Sequence, residues 1–126
     1  QQAVVTMANG FQFKLNKRPG LDAFLKRASQ KYDLYAYTAA VEEYARPVID
    51  QLDPNDEYFI DRFFRCDCLH AQGHFLKDLR HLRSTYDYDS ECLDRMVLVD
   101  NNPYCFLPQL ANGVPISSFF DDPQDT

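Results

Sequence analysis

Residues 96–103 read Met96-Val97-Leu98-Val99-Asp100-Asn101-Asn102-Pro103, and this stretch indicates the fold class. Four apolar residues that end at a polar turn and a proline predict a short buried strand. A strand buried on both faces is typical of a parallel sheet. Ligands bind beyond the carboxyl ends of such strands, where Asp100 and Asn101 offer the oxygen atoms that a hard cation prefers. On this stretch alone, turn chemistry is the more ordinary explanation of both residues.

Two other segments place a polar side chain after a short apolar stretch. The β-prone segment 32–37 ends at Thr38, and His74-Phe75-Leu76 leads into Lys77. A hydroxyl can donate to a phosphoryl oxygen, a lysine supplies a fixed positive charge, and an acid–amide pair can anchor a metal ion. The three segments together therefore indicate a phosphate and metal site more strongly than any one of them.

The rest of the chain predicts alternating strands and helices with an added hairpin, and hence an α/β sheet. Asn9-Gly10 is typical of the turn of a β-hairpin. The predicted elements after it are a helix opened by Pro19, a strand at 34–37, a helix at 41–52 that Pro47 should kink or break, strand-rich stretches at 59–64 and 66–69, a short helix at 78–82 and a polar surface loop at 84–91.

Six ordered motifs carry a family resemblance that covers the chain from about Val4 to Thr126. They are Lys17-Arg18-Pro19-Gly20-Leu21-Asp22-Ala23-Phe24-Leu25, Tyr37-Thr38-Ala39-Ala40 with Tyr44-Ala45-Arg46-Pro47, Phe64-Arg65 with Cys68, Leu76-Lys77-Asp78-Leu79, Val99-Asp100-Asn101-Asn102-Pro103, and Asn112-Gly113-Val114-Pro115-Ile116. In these motifs the chain resembles the small C-terminal-domain phosphatases, the NLI-interacting-factor-like branch of the haloacid-dehalogenase superfamily. The segment 118–126 looks most like the Dullard subgroup of that branch.

The resemblance implies a haloacid-dehalogenase-like, Rossmann-like parallel sheet flanked by helices, with an inserted β-hairpin or small antiparallel sheet. The family nucleophile belongs to an Asp-x-Asp-x-Thr/Val motif on a first strand, upstream of the segment that matches Val4. Asp87-Tyr88-Asp89-Ser90 has the acid spacing but follows a polar run, so we expect a loop there. We therefore expect residues 1–126 to be a single, partial phosphatase domain that lacks the first catalytic strand and the closing helix. Two alternatives are a first strand present in the protein but outside this sequence, and a degenerate member that binds without catalysing.

By resemblance, the catalytic residues are Thr38, Lys77 and Asp100. Thr38 would hydrogen-bond a phosphoryl oxygen, although a helix N-cap is an alternative role compatible with this one. Lys77 would neutralise the phosphoaspartate, whereas a lone lysine is ordinarily a surface residue. Asp100 and Asn101 would hold Mg²⁺, and the sequence does not decide which of them is the direct ligand.

The resemblance also implies three substrate-binding residues. Arg65 matches a family arginine near the substrate phosphate, and a surface charge at a strand edge is an equally good explanation. Val41 and Tyr44 match positions that line an apolar pocket for a substrate proline in some relatives. Their spacing of three residues on a helix is explained as well by core packing.

Composition narrows the class of protein. A chain of 126 residues with 45% hydrophobic residues fits one globular domain. The net charge of −6, with scattered lysine and arginine, argues against a nucleic-acid surface. No apolar run approaches the ~20 residues of a membrane span, and the first residues lack a signal-peptide pattern. We expect an intracellular protein, nuclear or cytoplasmic, whose membrane anchor, if any, lies outside this segment; its oligomeric state is left open.

A cluster of cysteine and histidine suggests a competing zinc site. Cys66, Cys68 and His70 would share one face of a strand, with His74 nearby. Zinc sites usually separate their cysteines by two to four residues, so we favour packing within a strand over metal binding. His81 should be solvated surface.

The function implied by the resemblance is Mg²⁺-dependent hydrolysis of phosphoserine or phosphothreonine on a protein, through a phosphoaspartate in the intact protein. Candidate substrates include the RNA polymerase II tail and lipin-type enzymes. The alternative is a non-catalytic binding member, either a pseudophosphatase or a receptor of the mitochondrial inner-membrane import type. The acid–amide pair Asp100-Asn101 favours the phosphatase branch.

Overall fold

The structure is a computed structural model that describes residues 2–86 and 92–125. It divides into two compact units. The first is formed by residues 2–65 and 119–125, and the second by the described part of residues 66–118. Each unit contains one antiparallel hairpin and one pair of parallel strands among its described residues. The α/β prediction from the sequence is therefore confirmed, while the single domain stays a prediction.

The first unit opens with the predicted hairpin. Strands β1 (Gln2–Thr6) and β2 (Gln12–Asn16) pair antiparallel, with Val5 opposite Phe13. Gly10 has φ 87°, a left-handed conformation that glycine adopts without a steric penalty, which is why the Asn-Gly pair can close this turn.

Helices and parallel strands alternate in the rest of the first unit. Helix α1 (Leu21–Ser29) is followed by β3 (Leu34–Tyr37), α2 (Glu42–Leu52) and β4 (Phe59–Phe63), and β3 pairs parallel with β4. The core beneath this pair is formed by Ala45, Ile49 and Phe64, with Ala36, Ala40 and Phe59 packed against it.

Helix α2 differs from the prediction at Pro47. The helix runs without interruption from Glu42 to Leu52, so the predicted break is wrong. It ends at Asp53, which is 2% exposed. The carboxylate of Asp53 accepts hydrogen bonds from the backbone N–H groups of Glu57, Tyr58 and Phe59, and so shapes the turn that leads into β4.

The second unit contains a second hairpin and a second parallel pair. Strands β5 (Leu69–Ala71) and β6 (His74–Leu76) pair antiparallel, and helix α3 (Leu79–Tyr86) follows. Strands β7 (Leu98–Asp100) and β8 (Gly113–Pro115) pair parallel. The 3-10 segment Arg65–Asp67 precedes β5, and the 3-10 segments Cys92–Arg95 and Pro103–Asn112 precede β7 and β8. The core is formed by Leu79, Leu98, Cys105 and Phe106.

Strand β7 departs from the prediction in its bounds and its burial. It begins at Leu98 and includes Asp100, which the sequence assigned to the turn. Leu98 and Asp100 are buried, but Val99 is 50% exposed. Its neighbour on β8, Val114, is 43% exposed. The parallel pairing is therefore confirmed, while burial of the strand on both faces is wrong.

Two further predictions fail in the second unit. Cys66 lies in a 3-10 turn and the strand begins only at Leu69, so 66–69 is not one strand. Helix α3 extends to Tyr86 because Leu79 and Leu82 are buried at helical spacing, so the loop prediction is wrong for residues 84–86. Residues 87–91, including Asp87 and Asp89, lie outside the described residues. None of the described helices combines the length and apolar character needed to cross a membrane.

Candidate active site

Lys77 and Asp100 form a buried ion pair in the second unit. Lys77 directly follows β6, and Asp100 is the last residue of β7. The Nζ of Lys77 donates to Oδ2 of Asp100, and each side chain is only 9% exposed. The surface alternative for Lys77 is therefore wrong. Because a buried charge is costly unless it is paired, each residue provides the opposite charge that the other needs in the interior.

Asp100 also organises the turn that follows it. Its Oδ1 accepts a hydrogen bond from the backbone N–H of Asn102 (2.9 Å), and its carbonyl oxygen accepts one from Ile116 N–H (3.1 Å). Asn102 in turn caps the next 3-10 segment by accepting from Tyr104 N–H. One carboxylate thus stabilises the turn through Oδ1 and forms the ion pair with Lys77 through Oδ2.

Asn101 is exposed beside this buried pair. Its Nδ2 donates to Oγ of Ser118 at 2.8 Å, so the amide oxygen faces away from Ser118. Carboxylate and amide oxygens are hard ligands, and Mg²⁺ in proteins takes one or two carboxylates while keeping several waters. In chemical type, the donors Asp100 and Asn101 fit Mg²⁺.

Thr38 lies directly after β3 in the first unit. Its backbone N–H donates to the carbonyl of Phe63, and its Oγ1 accepts from Ala40 N–H at 3.1 Å. The N-cap of α2 is Val41, which makes no side-chain capping bond to any described residue. The N-cap alternative for Thr38 is therefore wrong, and its hydroxyl instead shapes the loop between β3 and α2.

Arg65 is attached to the same loop. Its Nε donates to the carbonyl oxygen of Ala39 at 2.7 Å, and its backbone N–H donates to that of Ala40 at 3.0 Å. The residue is exposed, as the surface alternative required, but its guanidinium is held by the backbone that follows Thr38. The structure thus brings Arg65 and the Thr38 loop together.

Val41 and Tyr44 lie on an exposed aromatic surface of the first unit. They are 41% and 45% exposed, so the core alternative is wrong for both. The ring of Tyr44 stacks on Phe13 with centroids 5.1 Å apart, and Phe11 lies 6.3 Å from Phe13. Phe13 was missed by the sequence analysis. The alternation of Phe11, directly before β2, and Phe13 within it was the available signal, but the contact of Phe13 with α2 is long-range.

The predicted site residues therefore divide between the units. Thr38, Val41, Tyr44 and Arg65 belong to the first unit, and Lys77, Asp100 and Asn101 belong to the second.

The cysteine–histidine segment is built differently from the competing zinc site that the sequence suggested. His70 stacks on Phe75 and His74 stacks on Tyr104, so both rings pack against aromatic partners. Among the described residues, no three His, Cys, Asp or Glu side chains form a group that could hold a metal ion. His81, predicted as solvated surface, has a side chain that is 40% exposed, and its Nε2 also pairs with Oδ1 of Asp67 at 2.9 Å.

Cys105 is the buried thiol beside the Lys77–Asp100 pair. Burial raises the pKa of Cys105 to about 11, against the opposing effect of the Lys77 charge. A thiol with such a pKa stays protonated at neutral pH, and it is the thiolate that acts as a nucleophile. Cys105 is therefore poorly suited to act as a nucleophile.

Comparison with known proteins bears on the family and the fold of the chain. The family model described as NLI interacting factor-like phosphatase matches residues 1–126. CTD nuclear envelope phosphatase 1 of Xenopus laevis is 37% identical over 123 residues, which are 98% of this chain and 48% of that protein. Nuclear envelope morphology protein 1 of Saccharomyces cerevisiae is 34% identical over 117 residues, 89% of this chain and 26% of that protein. The chain thus spans at most about half the length of these relatives.

A solved structure supports the same assignment. The structure of Fcp1, an essential RNA polymerase II CTD phosphatase, matches 95% of this chain and 32% of that chain, with a TM-score of 0.69 and 25% sequence identity. This likeness confirms the predicted haloacid-dehalogenase-like fold. With the family match over the whole of residues 1–126, it shows that the chain belongs to the NLI interacting factor-like phosphatases.

Proposed function

We propose that the intact protein is a Mg²⁺-dependent phosphatase that hydrolyses phosphoserine or phosphothreonine on a protein substrate through a phosphoaspartate. The observation that carries this proposal is the buried Lys77–Asp100 ion pair at the ends of β6 and β7. A lysine that is 7% exposed and held by a carboxylate is costly to keep buried for stability alone. It is well suited to a reaction in which negative charge develops on a phosphoryl group.

In this proposal Lys77 stabilises the charge on the phosphoryl oxygens. Its ammonium is already oriented by Asp100, so little reorganisation is needed when the phosphate binds. One such contact in a water-poor site is typically worth ~3–4 kcal/mol of transition-state stabilisation. Asp100 acts by holding Lys77 and the turn that carries Asn101.

We assign the direct magnesium contact to the amide oxygen of Asn101. Both oxygens of Asp100 already accept hydrogen bonds, one from Lys77 and one from Asn102, whereas the amide oxygen of Asn101 faces away from its Ser118 partner. When bound, Mg²⁺ would neutralise charge on the phosphoryl group, as it does in other phosphoryl-transfer sites. Asp100 would contribute negative charge close to that ligand.

Thr38 and Arg65 would bind the phosphoryl oxygens from the loop after β3. The hydroxyl of Thr38 accepts from Ala40 N–H, which fixes the position of the Oγ1 atom that would contact a phosphoryl oxygen. The planar guanidinium of Arg65 suits paired contacts to phosphate oxygens, and its bond to Ala39 sets its direction.

The aromatic surface of Val41, Tyr44 and Phe13 would bind an apolar substrate residue next to the phosphorylated one. All three side chains are partly or largely exposed, and the stacked pair of rings presents a rigid apolar face. Such a contact would select among phosphoproteins without taking part in the reaction.

The nucleophile is the part of the reaction that the described residues do not supply. None of the described strands ends in the Asp-x-Asp motif that the family resemblance implies. We propose that a further strand of the intact protein supplies the nucleophile, and that residues 1–126 alone are inactive. The partner is then a phosphorylated protein, and the net charge of −6 does not favour nucleic acid.

We place this activity inside the cell. Two similar proteins carry the nuclear envelope in their names, which supports that compartment as one candidate. A non-catalytic binding role is the alternative, and it is favoured only by the absence of the Asp-x-Asp motif from the described strands.

The test is turnover of phosphoserine and phosphothreonine peptides by the intact protein, with Mg²⁺ and with EDTA. We expect phosphate release that requires Mg²⁺ and a trapped phosphoenzyme that hydroxylamine cleaves, as an acyl phosphate should be. The same assay on residues 1–126 should show no turnover. Peptide binding by the intact protein with neither turnover nor phosphoenzyme would refute the phosphatase and leave the binding role.

A further inference from the structure

Gln109 holds the backbone on both sides of Asp78 with one side-chain amide. Its Nε2 donates to the carbonyl oxygen of Lys77 at 2.6 Å, and its Oε1 accepts from the backbone N–H of Leu79 at 3.1 Å. The amide therefore acts like a peptide group of a neighbouring strand, with one donor and one acceptor used at once. We infer that Gln109 is a positioning residue for Lys77, an inference that rests on the catalytic role proposed for Lys77.

The position of Gln109 in the fold supports this role. It lies in the 3-10 segment Pro103–Asn112, yet its backbone is extended, with φ −154° and ψ 73°. The same segment contributes Cys105, whose carbonyl oxygen accepts from Lys77 N–H at 3.3 Å. The N–H and the C=O of Lys77 are thus both bonded to this one segment.

Positioning matters here because Lys77 lies where β6 has ended and α3 has not yet begun. Lys77 and Asp78 therefore lie outside both the β6 strand and the α3 helix. A shift of the Lys77 backbone would move the ammonium relative to Asp100. Misplacement of a catalytic group by about 1 Å can cost on the order of a hundredfold in rate.

A purely structural role is the competing explanation, because Leu79 N–H is one of the first donors of α3 and needs a partner. The chain offers a matched control in Asn112, an amide in the same 3-10 segment that is also partly buried. Its Nδ2 donates to the carbonyl oxygens of Leu93 (2.7 Å) and Met96 (2.8 Å). It thus makes two backbone contacts that do not involve Lys77.

The experiment measures kcat and KM of the intact protein on a phosphoserine peptide for wild type, Gln109→Met, Gln109→Glu and Asn112→Ala. Gln109→Met keeps the length of the side chain and removes both bonds, and we expect kcat to fall roughly ten- to a hundredfold with little change in KM. Gln109→Glu can still accept from Leu79 N–H but cannot donate to Lys77, so it should be as slow as Gln109→Met. Asn112→Ala should lose thermal stability and keep the wild-type kcat.

A second readout does not depend on turnover. In ¹⁵N-lysine-labelled protein, the buried Lys77 ammonium should give a protected signal that shifts or disappears in Gln109→Met and not in Asn112→Ala. Recovery of kcat in Gln109→Glu, or equal kcat in Gln109→Met and Asn112→Ala, would show that Gln109 only caps α3. A wild-type protein without turnover would refute the proposed function, and an unchanged ammonium signal in Gln109→Met would then overturn this inference independently.

Discussion

The ammonium of Lys77, directly after β6, pairs with the carboxylate of Asp100, the last residue of β7, and neither side chain is more than 9% exposed. Removal of one partner leaves the other as a buried charge that has lost this counter-ion. Removal of both partners leaves no charge of this pair in the interior. A single variant should therefore lose much more folding stability than the double variant. This expectation does not depend on catalysis.

We expect Lys77→Met or Asp100→Leu alone to lower the free energy of unfolding by about 3–5 kcal/mol, and the double variant to recover most of that loss. Urea denaturation of the four proteins measures both effects. The control is the exposed pair Arg46–Glu42, whose side chains are each 50% exposed and whose removal should change stability by less than about 1 kcal/mol. Equal losses in the single and double variants would show that the pair is not buried as described.

Catalysis makes a separate prediction for Lys77. In the intact protein, Lys77→Ala should lower kcat on a phosphoserine peptide roughly a hundred- to a thousandfold, the equivalent of ~3–4 kcal/mol. Lys77→Arg keeps the charge, but the larger guanidinium is shaped and hydrated differently, so it should rescue poorly. A near-normal kcat in Lys77→Ala would remove the residue from the reaction, and the proposed function would lose the observation on which it rests.

The local parts of the fold could be predicted from the sequence because short patterns decide them. The Asn9-Gly10 turn and strand β3 were both predicted, and Gly10 has the left-handed φ that this turn requires. The burial of Lys77 could not be predicted from its neighbours, since it depends on Asp100. The same limit explains why Phe13 was missed, because its partner Tyr44 lies on a different element.

Two predictions of secondary structure were wrong because the sequence pattern is compatible with more than one element. Alternation of Cys66 and Cys68 suggested a strand, but the segment turns as a 3-10 helix and Asp67 pairs with His81. The polar stretch from Ser84 suggested a loop, yet helix α3, whose residues Leu79 and Leu82 are buried, continues through residues 84–86. Tertiary contacts decided both cases.

The stacked rings of Tyr44 and Phe13 predict an effect on substrate choice. Tyr44→Ala should raise KM about tenfold or less for a phosphopeptide with an apolar residue beside the phosphoserine, since one aromatic contact is worth roughly 0.5–1.5 kcal/mol. Turnover of p-nitrophenyl phosphate, which lacks that residue, should be unchanged. Phe24→Ala is the control, because Phe24 is 58% exposed and lies on α1. An equal effect of Tyr44→Ala on both substrates would contradict this role.

Asp53 predicts how the stability of the protein depends on pH. Burial by itself would raise the pKa of Asp53, but hydrogen bonds from the backbone N–H groups of Phe59, Glu57 and Tyr58, with the charge of Arg62, hold it below the ordinary value of 3.8. A carboxyl whose pKa is lower in the folded state adds stability above its unfolded pKa, and that stability is lost as the pH falls through the folded pKa.

We therefore expect Asp53→Asn to lower the free energy of unfolding at pH 7 by about 1.5–3 kcal/mol, because hydrogen bonds to a charged group are weakened and a buried donor loses its partner. The difference from wild type should shrink as the pH falls below the unfolded pKa of about 3.9 and through the lower pKa of folded Asp53, where the wild-type carboxyl becomes protonated as well. Urea denaturation from pH 7 to pH 2 measures this convergence. Asp56→Asn serves as the control, since its carboxylate is 83% exposed and lies 3.9 Å from Arg62, and it should follow the wild-type curve. If the gap between Asp53→Asn and wild type stayed constant over this range, the charge of Asp53 would not be what stabilises the turn after α2.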